Sequence, residues 1–264
     1  MKRRIISALL ASFMALSVFA GCGGDKGGDK FIVGFDANYP PYGYMGEDGE
    51  YTGFDLELAE AFCELEGWEL VKQPIDWETK DQTLNGGEID CIWNGFTMNG
   101  REDDYTFSVP YVDNSQVIVV SEKSGIDSFD DLAGKVVGVQ AGSAALEVLQ
   151  SEEEGGQKAL TDTFKSLEQF ADYNIAFTEL QAGALDALAI DIGVAKYQLE
   201  SRGTGFMMLD DILNKEQYAV GVKKGNQELI DKINEGLQKL ANDGTVDELA
   251  KKYGIADMVI LKAE

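Results

Sequence analysis

The chain has 264 residues with 22 basic and 47 acidic side chains, no histidine and a formal net charge of −25 at pH 7. Such an excess of carboxylates argues against a nucleic-acid partner, because nucleic-acid phosphates require a basic face. Histidine is the commonest general base and metal ligand, and neither CxxC nor GxxxxGK[ST] occurs, so the sequence predicts no metal and no cofactor.

The amino-terminal segment carries an export signal and a tether. Residues 2–4 are basic, residues 5–20 are apolar, and Gly21 precedes Cys22. This order is typical of a signal peptide, which we assign to residues 1–21, and its apolar stretch is shorter than a usual membrane span. Residues 22–30 are rich in glycine, aspartate and lysine, which predicts a flexible tether outside the cytoplasm, at the cell surface or in the periplasm.

Phe19-Ala20-Gly21-Cys22 resembles the lipobox of bacterial lipoproteins. In that motif the cysteine receives the lipid and becomes the mature amino terminus. The resemblance therefore implies lipidation at Cys22 and attachment to the cell membrane. Phe19 stands where lipoboxes usually carry leucine, and a secreted protein in which Cys22 merely follows the cleavage site stays open.

After the tether, short apolar strands alternate with amphipathic helices. Apolar residues at helical spacing predict a helix over residues 54–66, which Gly67 ends. Periodicity and flanking turn residues also predict strands over 31–35, 68–71, 89–93 and 116–120, and a helix over 77–84.

The second half of the chain continues this alternation. A turn at 130–134 leads into a strand over 135–140 and a helix over 142–150, and strand, helix and strand recur through residues 163–190. A β run at 217–222 precedes helices over 227–241 and 246–252. Strands and helices joined by short loops predict a mostly parallel, doubly wound α/β architecture.

One pattern occurs twice, at residues 84–92 and 180–188. Both segments fit L-x-x-G-x-[IL]-D-x-[IL], with the glycine at Gly87 and Gly183. A glycine directly after a helical stretch fits the left-handed position that ends a helix, and the short apolar run after it fits a buried strand. We therefore predict equivalent helix-to-strand turns in two lobes. Chance recurrence of so short a pattern stays open.

The β runs at 116–120 and 217–222 bracket the second copy of this pattern. If they carry the chain out of one lobe and back, the second lobe is an insertion and the two crossings form a hinge. On this hypothesis lobe 1 comprises residues 31–117 and 219–264, and lobe 2 comprises residues 118–218. A single continuous sheet stays open as the alternative.

The chain has three cysteines. Cys22 is assigned to the lipid anchor, whereas Cys63 falls in a predicted helix and Cys91 in a predicted inner strand. Either of the last two fits a small buried hydrophobic residue, and a disulfide between them stays open.

Six segments together resemble the family 3 solute-binding proteins of ABC importers for polar amino acids. They are GFDANYPPY at 34–42, GFDL at 53–56, LNGGEID at 84–90, FSVPY at 107–111, VGVQAGS at 137–143 and LQAGALDALAID at 180–191. The resemblance implies a two-lobed, type II periplasmic-binding-protein fold, with each lobe a mostly parallel sheet flanked by helices and two strands forming the hinge. It also implies a monomeric binding protein without catalytic residues, an amino acid as ligand and an importer permease as partner.

A free amino acid needs hydrogen-bond donors for its carboxylate and acceptors for its ammonium group. On the family pattern, Arg101 holds the carboxylate through its bidentate fork, and Thr97 adds a hydroxyl and a backbone N–H. Ser143 and Ala144 add free N–H groups where a helix opens. Asp191, directly after the second repeat, is the acceptor for the ammonium. A solvated surface arginine and a plain helix N-cap stay open as alternatives for Arg101 and Asp191.

The segment around Arg101 departs from the family pattern. Family members usually read G-x-[ST]-x-T-x-x-R, whereas this chain reads G-F-T-M-N-G-R from Gly95 to Arg101. Arg101 therefore arrives one residue early, and we expect Gly100 to absorb the shorter loop. Otherwise backbone amides alone would hold the carboxylate.

The end of the site that receives the ligand side chain is less defined. The candidates are the aromatic residues Tyr39, Trp77, Trp93 and Phe96, the adjoining Gly95, and the acids Asp36 and Glu78. Acid in this place argues against aspartate or glutamate as the ligand, because a buried like charge is costly. A cationic amino acid, a polar neutral one and cystine stay open.

These features predict an extracytoplasmic receptor that captures a polar amino acid between two closing lobes and presents it to an ABC importer. Cyclohexadienyl dehydratases resemble the same family, so an enzyme acting on a prephenate-type substrate stays open. The lack of histidine and the Arg101–Asp191 pair favour binding over catalysis. A ligand-sensing protein that works through a separate signalling partner is a third hypothesis.

Overall fold

Residues 29–264 are described by the structure, a computed structural model. The predicted signal peptide, the lipidation at Cys22 and the tether up to residue 28 lie outside the described residues. The strands are β1 Lys30–Phe35, β2 Asn38–Tyr39, β3 Gly43–Met45, β4 Tyr51–Thr52, β5 Glu69–Pro74, β6 Cys91–Ile92, β7 Tyr105–Phe107, β8 Val112–Ser121, β9 Val136–Gln140, β10 Ser166–Phe170, β11 Ala187–Asp191, β12 Phe206–Tyr218 and β13 Gly221–Lys223. The helices are α1 Phe54–Glu66, α2 Lys80–Gly86, α3 Ala144–Gln150, α4 Lys158–Thr161, α5 Tyr173–Ala182, α6 Ile192–Arg202, α7 Gln227–Asn242 and α8 Thr245–Lys252.

Most of the predicted elements form where the periodicity places them. Helix α1 has the predicted bounds and ends at Gly67, whose φ of 70° is left-handed and whose N–H donates to the last turn. The predicted helix over 77–84 is split, because Asp76 caps a short 3-10 turn at Trp77–Thr79 before α2 begins. Two such 3-10 turns occur in the described residues, the second at Phe129–Leu132.

Two five-stranded sheets form the two lobes, which confirms the predicted two-lobed fold. The first sheet has the order β5-β1-β6-β13-β7 and the second the order β10-β9-β11-β8-β12. In each sheet two pairings are parallel and two are antiparallel, so the sheets are mixed and the predicted mostly parallel sheets are wrong. In the second sheet the antiparallel pairings involve β8, which takes the chain into this sheet, and β12, which pairs with β8 and takes the chain back to the first sheet. The single continuous sheet is wrong.

Strands β8 and β12 are the crossing strands. They pair antiparallel from Val112, opposite Tyr218, to Ser121, opposite Phe206, and their pairing is the longest in the described chain. The predicted β run over 217–222 is broken here, because the chain leaves the second sheet after Tyr218 and joins the first at Gly221. The lobe boundaries at 117/118 and 218/219 stay predictions.

The repeated pattern forms the same turn in both sheets, as predicted. Gly87 ends α2 and Gly183 ends α5, each with a φ of 78°. The aspartate that follows clamps the first strand of its sheet. Asp90 accepts from Ile32 N–H at 2.7 Å and donates its own N–H to the Ile32 carbonyl at 2.8 Å.

Asp186 makes the corresponding pair of bonds with Val136, at 2.8 and 2.9 Å. In both copies a glycine of the clamped strand makes room for the apolar side chain before the aspartate. A Cβ on Gly34 would lie 2.3 Å from Ile89, and one on Gly138 would lie 2.5 Å from Leu185. The repeat therefore includes strands β1 and β9, whose carboxyl ends occupy equivalent places in the two lobes.

The two remaining cysteines are buried and free. Cys63 packs in the main apolar core with Phe62 and Leu58, and Cys91 lies on the central strand β6. The disulfide that the sequence left open does not form, and both thiols act as small apolar groups in the core.

Candidate functional site

Asp191 lies at the carboxyl end of β11 and is only 3% exposed. One carboxylate oxygen, Oδ1, accepts from Gln116 Nε2 at 2.6 Å, Tyr218 Oη at 2.7 Å and Asn114 Nδ2 at 2.8 Å. Its other oxygen accepts from Tyr173 Oη at 3.3 Å. The side chain makes no capping bond to α6, although Asp191 occupies the N-cap position. The plain N-cap is therefore wrong, and the carboxylate faces a buried polar site.

A second buried carboxylate, Glu216, lies beside Asp191 and was missed by the sequence reasoning. It sits on β12 and is 4% exposed. Its Oε1 accepts from Thr97 Oγ1 at 2.7 Å, Asn114 Nδ2 at 2.7 Å and Gln116 Nε2 at 2.8 Å. Burial and the neighbouring Asp191 raise the pKa of Glu216 to about 7. We name Asp191, Glu216, Asn114 and Gln116 the carboxylate–amide cluster.

Thr97 is buried at the edge of this cluster. An ionised carboxylate can only accept, so the Thr97 hydroxyl donates its hydrogen to Glu216. The lone pairs of the hydroxyl then remain for a donor. The predicted donation from this hydroxyl to a ligand carboxylate thus competes with Glu216, whereas the backbone N–H of Thr97 is unaffected.

Arg101 reaches the same cavity despite its shifted register. Gly100 has a left-handed φ of 80°, and Arg101 is 5% exposed. Its Nε and Nη2 donate to the half-exposed Glu147 of α3, with the shortest contact at 2.8 Å, and its Nη1 donates to the Thr97 carbonyl at 3.3 Å. The guanidinium carbon also lies 5.0 Å from the centroid of the Phe96 ring. The solvated surface arginine is wrong.

Ser143 and Ala144 line the cavity from the second lobe, at the start of α3. The Ser143 hydroxyl accepts from Leu146 N–H at 3.2 Å and donates to the Gln140 carbonyl at 2.8 Å. Its hydroxyl is therefore used within the protein. Gly142 lies just before them, where an added Cβ would come within 3.2 Å of the Glu78 Cα, and its carbonyl accepts from Lys80 Nζ at 3.0 Å.

Two aromatic rings form one wall of the cavity. Tyr39 and Trp77 are nearly parallel, with an interplanar angle of 11° and centroids 6.4 Å apart. Phe96 does not line the cavity, because its ring lies behind Trp77 and packs on Tyr105 at 5.0 Å. Phe96 supports Trp77 and Arg101 from the core. Trp93 does not line the cavity either, because it is fully buried in the core against Phe62.

Asp36 lies behind the lining residue Gln140, at the carboxyl end of β1. Its Oδ2 accepts from Gln140 Nε2 at 2.6 Å, and its Oδ1 accepts from Asn38 N–H at 2.8 Å. Burial raises the pKa of Asp36 to about 6. Gln140, which the sequence reasoning also missed, lines the cavity at the equivalent end of β9. The two strand ends of the repeat therefore meet across the lobes, while Glu78 is exposed on the surface.

Gly95 occupies the tightest backbone position of the site. Its φ is 54°, and its N–H donates to the buried Asp55 at 2.5 Å. A Cβ at this position would lie 2.7 Å from the Tyr39 ring and 3.0 Å from the Tyr218 ring. Glycine is therefore required by conformation and by space.

The structure brings eight of the ten predicted binding residues to one cavity and leaves two behind its wall. The cavity is small, with about 10 Å³ accessible to the centre of a water molecule, and is closed by both lobes. Its lining residues are Tyr39, Trp77, Gly95, Thr97, Arg101, Gln140, Ser143, Ala144 and Asp191. Asp36 and Phe96 form the second layer. Such a site offers a guanidinium, a carboxylate, hydroxyls and aromatic faces to one small polar ligand.

Within residues 29–264, no group of three or more acidic or cysteine side chains is arranged to hold a metal ion. Over the same residues, no helix is long and apolar enough to span a membrane.

The sequence profile of the bacterial extracellular solute-binding proteins, family 3, matches residues 31–256. The chain is 28% identical to the L-cystine-binding protein TcyJ of Escherichia coli (strain K12) over 230 residues, covering 86% of this chain and 83% of that protein.

Solved structures agree with this match. A substrate-binding protein of an ABC uptake transporter from Streptococcus pneumoniae, with bound histidine, is 35% identical, with a TM-score of 0.82, covering 87% of this chain and 94% of that chain. An ancestral amino-acid-binding protein described as a precursor of cyclohexadienyl dehydratase is 29% identical, with a TM-score of 0.76 and coverages of 85% and 95%.

Proposed function

The chain belongs to the bacterial extracellular solute-binding proteins of family 3, and from that premise we propose that it captures one free polar amino acid between its two lobes for an ABC importer. The observation that carries the proposal is one interlobe cavity lined by both Arg101 and Asp191, each at least 95% buried. Buried groups of opposite charge in one cavity suit a zwitterion, because its carboxylate complements the guanidinium and its ammonium complements the carboxylate.

The carboxylate of the amino acid binds at Arg101. The Nε of Arg101 donates to Glu147 and its Nη1 donates to the Thr97 carbonyl, so these bonds fix the guanidinium before a ligand binds. A preorganised fork loses little conformational entropy when it binds a carboxylate. The backbone N–H groups of Thr97 and Ala144 complete this end.

The ammonium group binds at Asp191, with the Thr97 hydroxyl as a second acceptor. Tyr218 and Tyr173 hold the two oxygens of Asp191 in place. Since both oxygens are fixed by donors from the protein, the carboxylate cannot swing away from the cavity. Asp191 Oδ2, which accepts only from Tyr173, and the Thr97 hydroxyl have lone pairs for hydrogens of the ammonium group.

The side chain of the amino acid lies against Tyr39 and Trp77 and ends at Gln140. The amide of Gln140 and the carboxylate of Asp36 behind it favour a polar or cationic side chain. The relatives include a cystine-binding protein and a protein with bound histidine. We therefore expect a ligand of this polar class, cystine included.

The protein acts outside the cytoplasm as a lipid-anchored monomer, with residues 1–21 removed and Cys22 lipidated. An importer permease receives the amino acid from the closed form. The resemblance of residues 19–22 to a lipobox supports the anchor, and the family description supports the extracellular place.

A thermal-shift and calorimetric screen of the twenty standard amino acids plus cystine and ornithine tests this function. One or a few of them should raise the melting temperature and bind with a 1:1 stoichiometry. Absence of any binding by well-folded protein would refute the proposal.

Asp191→Ala tests the ammonium site directly. We expect it to lower the affinity at least about 100-fold, because a buried charged hydrogen bond is worth roughly 3 kcal/mol or more. Asp257→Ala, which removes an exposed carboxylate paired with Lys196, is the control and should bind normally. Normal affinity in Asp191→Ala would remove Asp191 from the site.

An enzyme on the same scaffold is the second candidate, because one structural neighbour is described as a precursor of cyclohexadienyl dehydratase. Asp191 and Glu216 are two buried carboxylates that share their donors, and such groups could serve an elimination as acid and base. Turnover of arogenate or prephenate by purified protein, measured by product absorbance, distinguishes the two. We expect none, and turnover abolished by Asp191→Ala would establish the enzyme.

A further inference from the structure

We propose that Glu216 is a positioning residue of the ammonium site, and that capture of an amino acid expels a proton from it. The proposal rests on the proposed function and deepens it. It identifies a second negative charge that prepares both Thr97 and Asp191 for a cation.

The hydrogen bonds of the carboxylate–amide cluster form a closed ring. Each of the two side-chain amides has two N–H groups, and each donates one to Asp191 and one to Glu216. The distances from Asn114 are 2.8 and 2.7 Å, and those from Gln116 are 2.6 and 2.8 Å. Both N–H groups of each amide are therefore used, whereas Asn114 Oδ1 and Gln116 Oε1 have no hydrogen-bond partner among the described residues. The position of Asp191 depends on Glu216 through these shared amides.

The ring holds two buried carboxylates close together. The charged and titratable groups facing Glu216 come from five parts of the chain: Asp191 from β11, Tyr218 from its own strand, Tyr173 from α5, Tyr42 from the loop after β2 and Arg101 from the loop after β6. Arg101 already pairs with Glu147. Two like charges in one buried site disfavour each other, so one carboxylate retains a proton at neutral pH until a cation arrives. The pKa of about 7 for Glu216 agrees with this assignment.

The protonation state of Glu216 determines whether the Thr97 hydroxyl donates or accepts their shared hydrogen bond. When Glu216 is protonated, its O–H can donate to Thr97 Oγ1 and occupy the lone pair that an ammonium would use. When Glu216 is ionised, Thr97 must donate to it and its lone pairs are free. An incoming ammonium therefore favours the ionised form. The balance is protein-COOH plus ligand-NH3⁺ giving protein-COO⁻ with bound ligand-NH3⁺, and one proton released to the solvent.

Glu216→Gln removes the negative charge of the side chain and keeps its shape. Glu216 Oε1 accepts all three hydrogen bonds, whereas Oε2 has no protein partner. A glutamine can therefore keep the oxygen in the ring and place its NH2 where Oε2 was. Asp113→Asn is the matched control, because Asp113 is an exposed carboxylate on the other crossing strand whose bond to Gln217 lies outside the ring.

The measurement is calorimetry with L-cystine, L-histidine, L-arginine and L-glutamine, from about pH 5.5 to about 8.5, in buffers of different ionisation enthalpy. For the amino acid that binds, we expect affinity to rise up to about tenfold as pH rises through about 7, with proton release at pH 6.5. Glu216→Gln should bind about tenfold more weakly at pH 8 and lose this proton release. Asp113→Asn should behave like the unmodified protein.

Asp36 and Asp55 also have raised pKa values and remain in every variant, so the difference between proteins isolates Glu216. Equal affinity or equal proton release in Glu216→Gln would overturn the inference and leave the proposed function standing. Absence of binding by the unmodified protein would overturn both. If the glutamine variant does not fold, Glu216→Asp must shift the midpoint of the pH dependence, and an unchanged midpoint refutes the inference.

Discussion

Gly95 is the residue at which the binding site and the backbone of the first lobe constrain each other most. Its N–H donates to buried Asp55, and its missing side chain leaves room for the rings of Tyr39 and Tyr218. Because both rings hold or line the ammonium and side-chain ends of the site, a change at Gly95 acts on binding and stability together.

Gly95→Ala should lower the free energy of unfolding by about 2–4 kcal/mol, since it adds steric overlap to the cost of a left-handed backbone. Gly49→Ala is the control, with a φ of 84° and no atom within 4 Å of the added Cβ. The control should lose only about 1–2 kcal/mol. Urea unfolding of both variants measures the difference, and equal losses would contradict the overlap.

Binding-site residues that follow a recognisable turn could be predicted from the sequence, whereas those without such a signal were missed. Asp191 ends the strand of the second copy of the pattern, and Arg101 lies in the loop after the strand of the first copy, which is where ligands of α/β proteins bind. Glu216 lies in the part of β12 that has no apolar alternation, so no pattern marked it as buried. Asn114 and Gln116 were the available signal, because they alternate along β8 on the same face as the apolar Val112 and Ile118, and polar residues on such a face need partners there.

Helices α1 and α7 pack so closely that a glycine in the helix interior becomes a requirement. A Cβ on Gly236 of α7 would lie 2.4 Å from the fully buried Phe62 of α1. Helix propensity alone favours alanine over glycine by about 1 kcal/mol, whereas overpacking of a core costs about 1–3 kcal/mol. The second effect is the larger one.

Gly236→Ala should therefore destabilise the protein by about 1–2 kcal/mol, against the direction that helix propensity predicts. Adding Phe62→Leu to Gly236→Ala should recover part of this loss, because the smaller side chain frees the space that the methyl group needs. Chemical denaturation of the two single variants and the double variant gives the coupling. A stabilised single variant would show that the helices separate without cost.

The elements themselves were predictable because local periodicity and glycine caps agree with the fold. The turns at Gly87 and Gly183 show this, since a helix end, a glycine and a short apolar strand follow one another in both. The direction of the outer strands was not predictable from local pattern. Whether β8 and β13 run parallel or antiparallel to their neighbours depends on where the chain crosses between sheets.

The whole molecule contains several carboxylates that are buried without a cationic partner. Burial raises the pKa of Asp55 to about 7, although the N–H of Gly95 and the hydroxyl of Tyr111 lower it in part. The folded protein therefore keeps a proton on Asp55 at a pH where the unfolded chain has lost it. Its contribution to stability is full below about pH 4 and is lost as pH rises to about 7.

Asp55→Asn should reduce the loss of stability between about pH 5 and pH 8 by roughly 1–3 kcal/mol. The asparagine can accept from Gly95 N–H and donate to the Tyr111 hydroxyl, so the two contacts of Asp55 remain possible. Asp210→Asn, on an exposed position of β12, controls for the change in net charge. The measurement is the free energy of unfolding of each protein at both pH values. An unchanged pH dependence in Asp55→Asn would contradict the raised pKa of Asp55.

Strands β8 and β12 carry Asn114, Gln116, Glu216 and Tyr218. If these two strands form the predicted hinge, the proposed ammonium end of the site lies next to the axis of lobe rotation. Points near an axis move little during rotation. The contacts of Arg101 with Glu147 and of Asp36 with Gln140 join the two lobes away from these strands, so they separate first as the lobes part. An arriving amino acid should therefore dock by its amino group while the protein is still open, and its carboxylate and side chain should be enclosed afterwards. Amines without a carboxylate would then bind without triggering closure, and would compete as dead-end ligands.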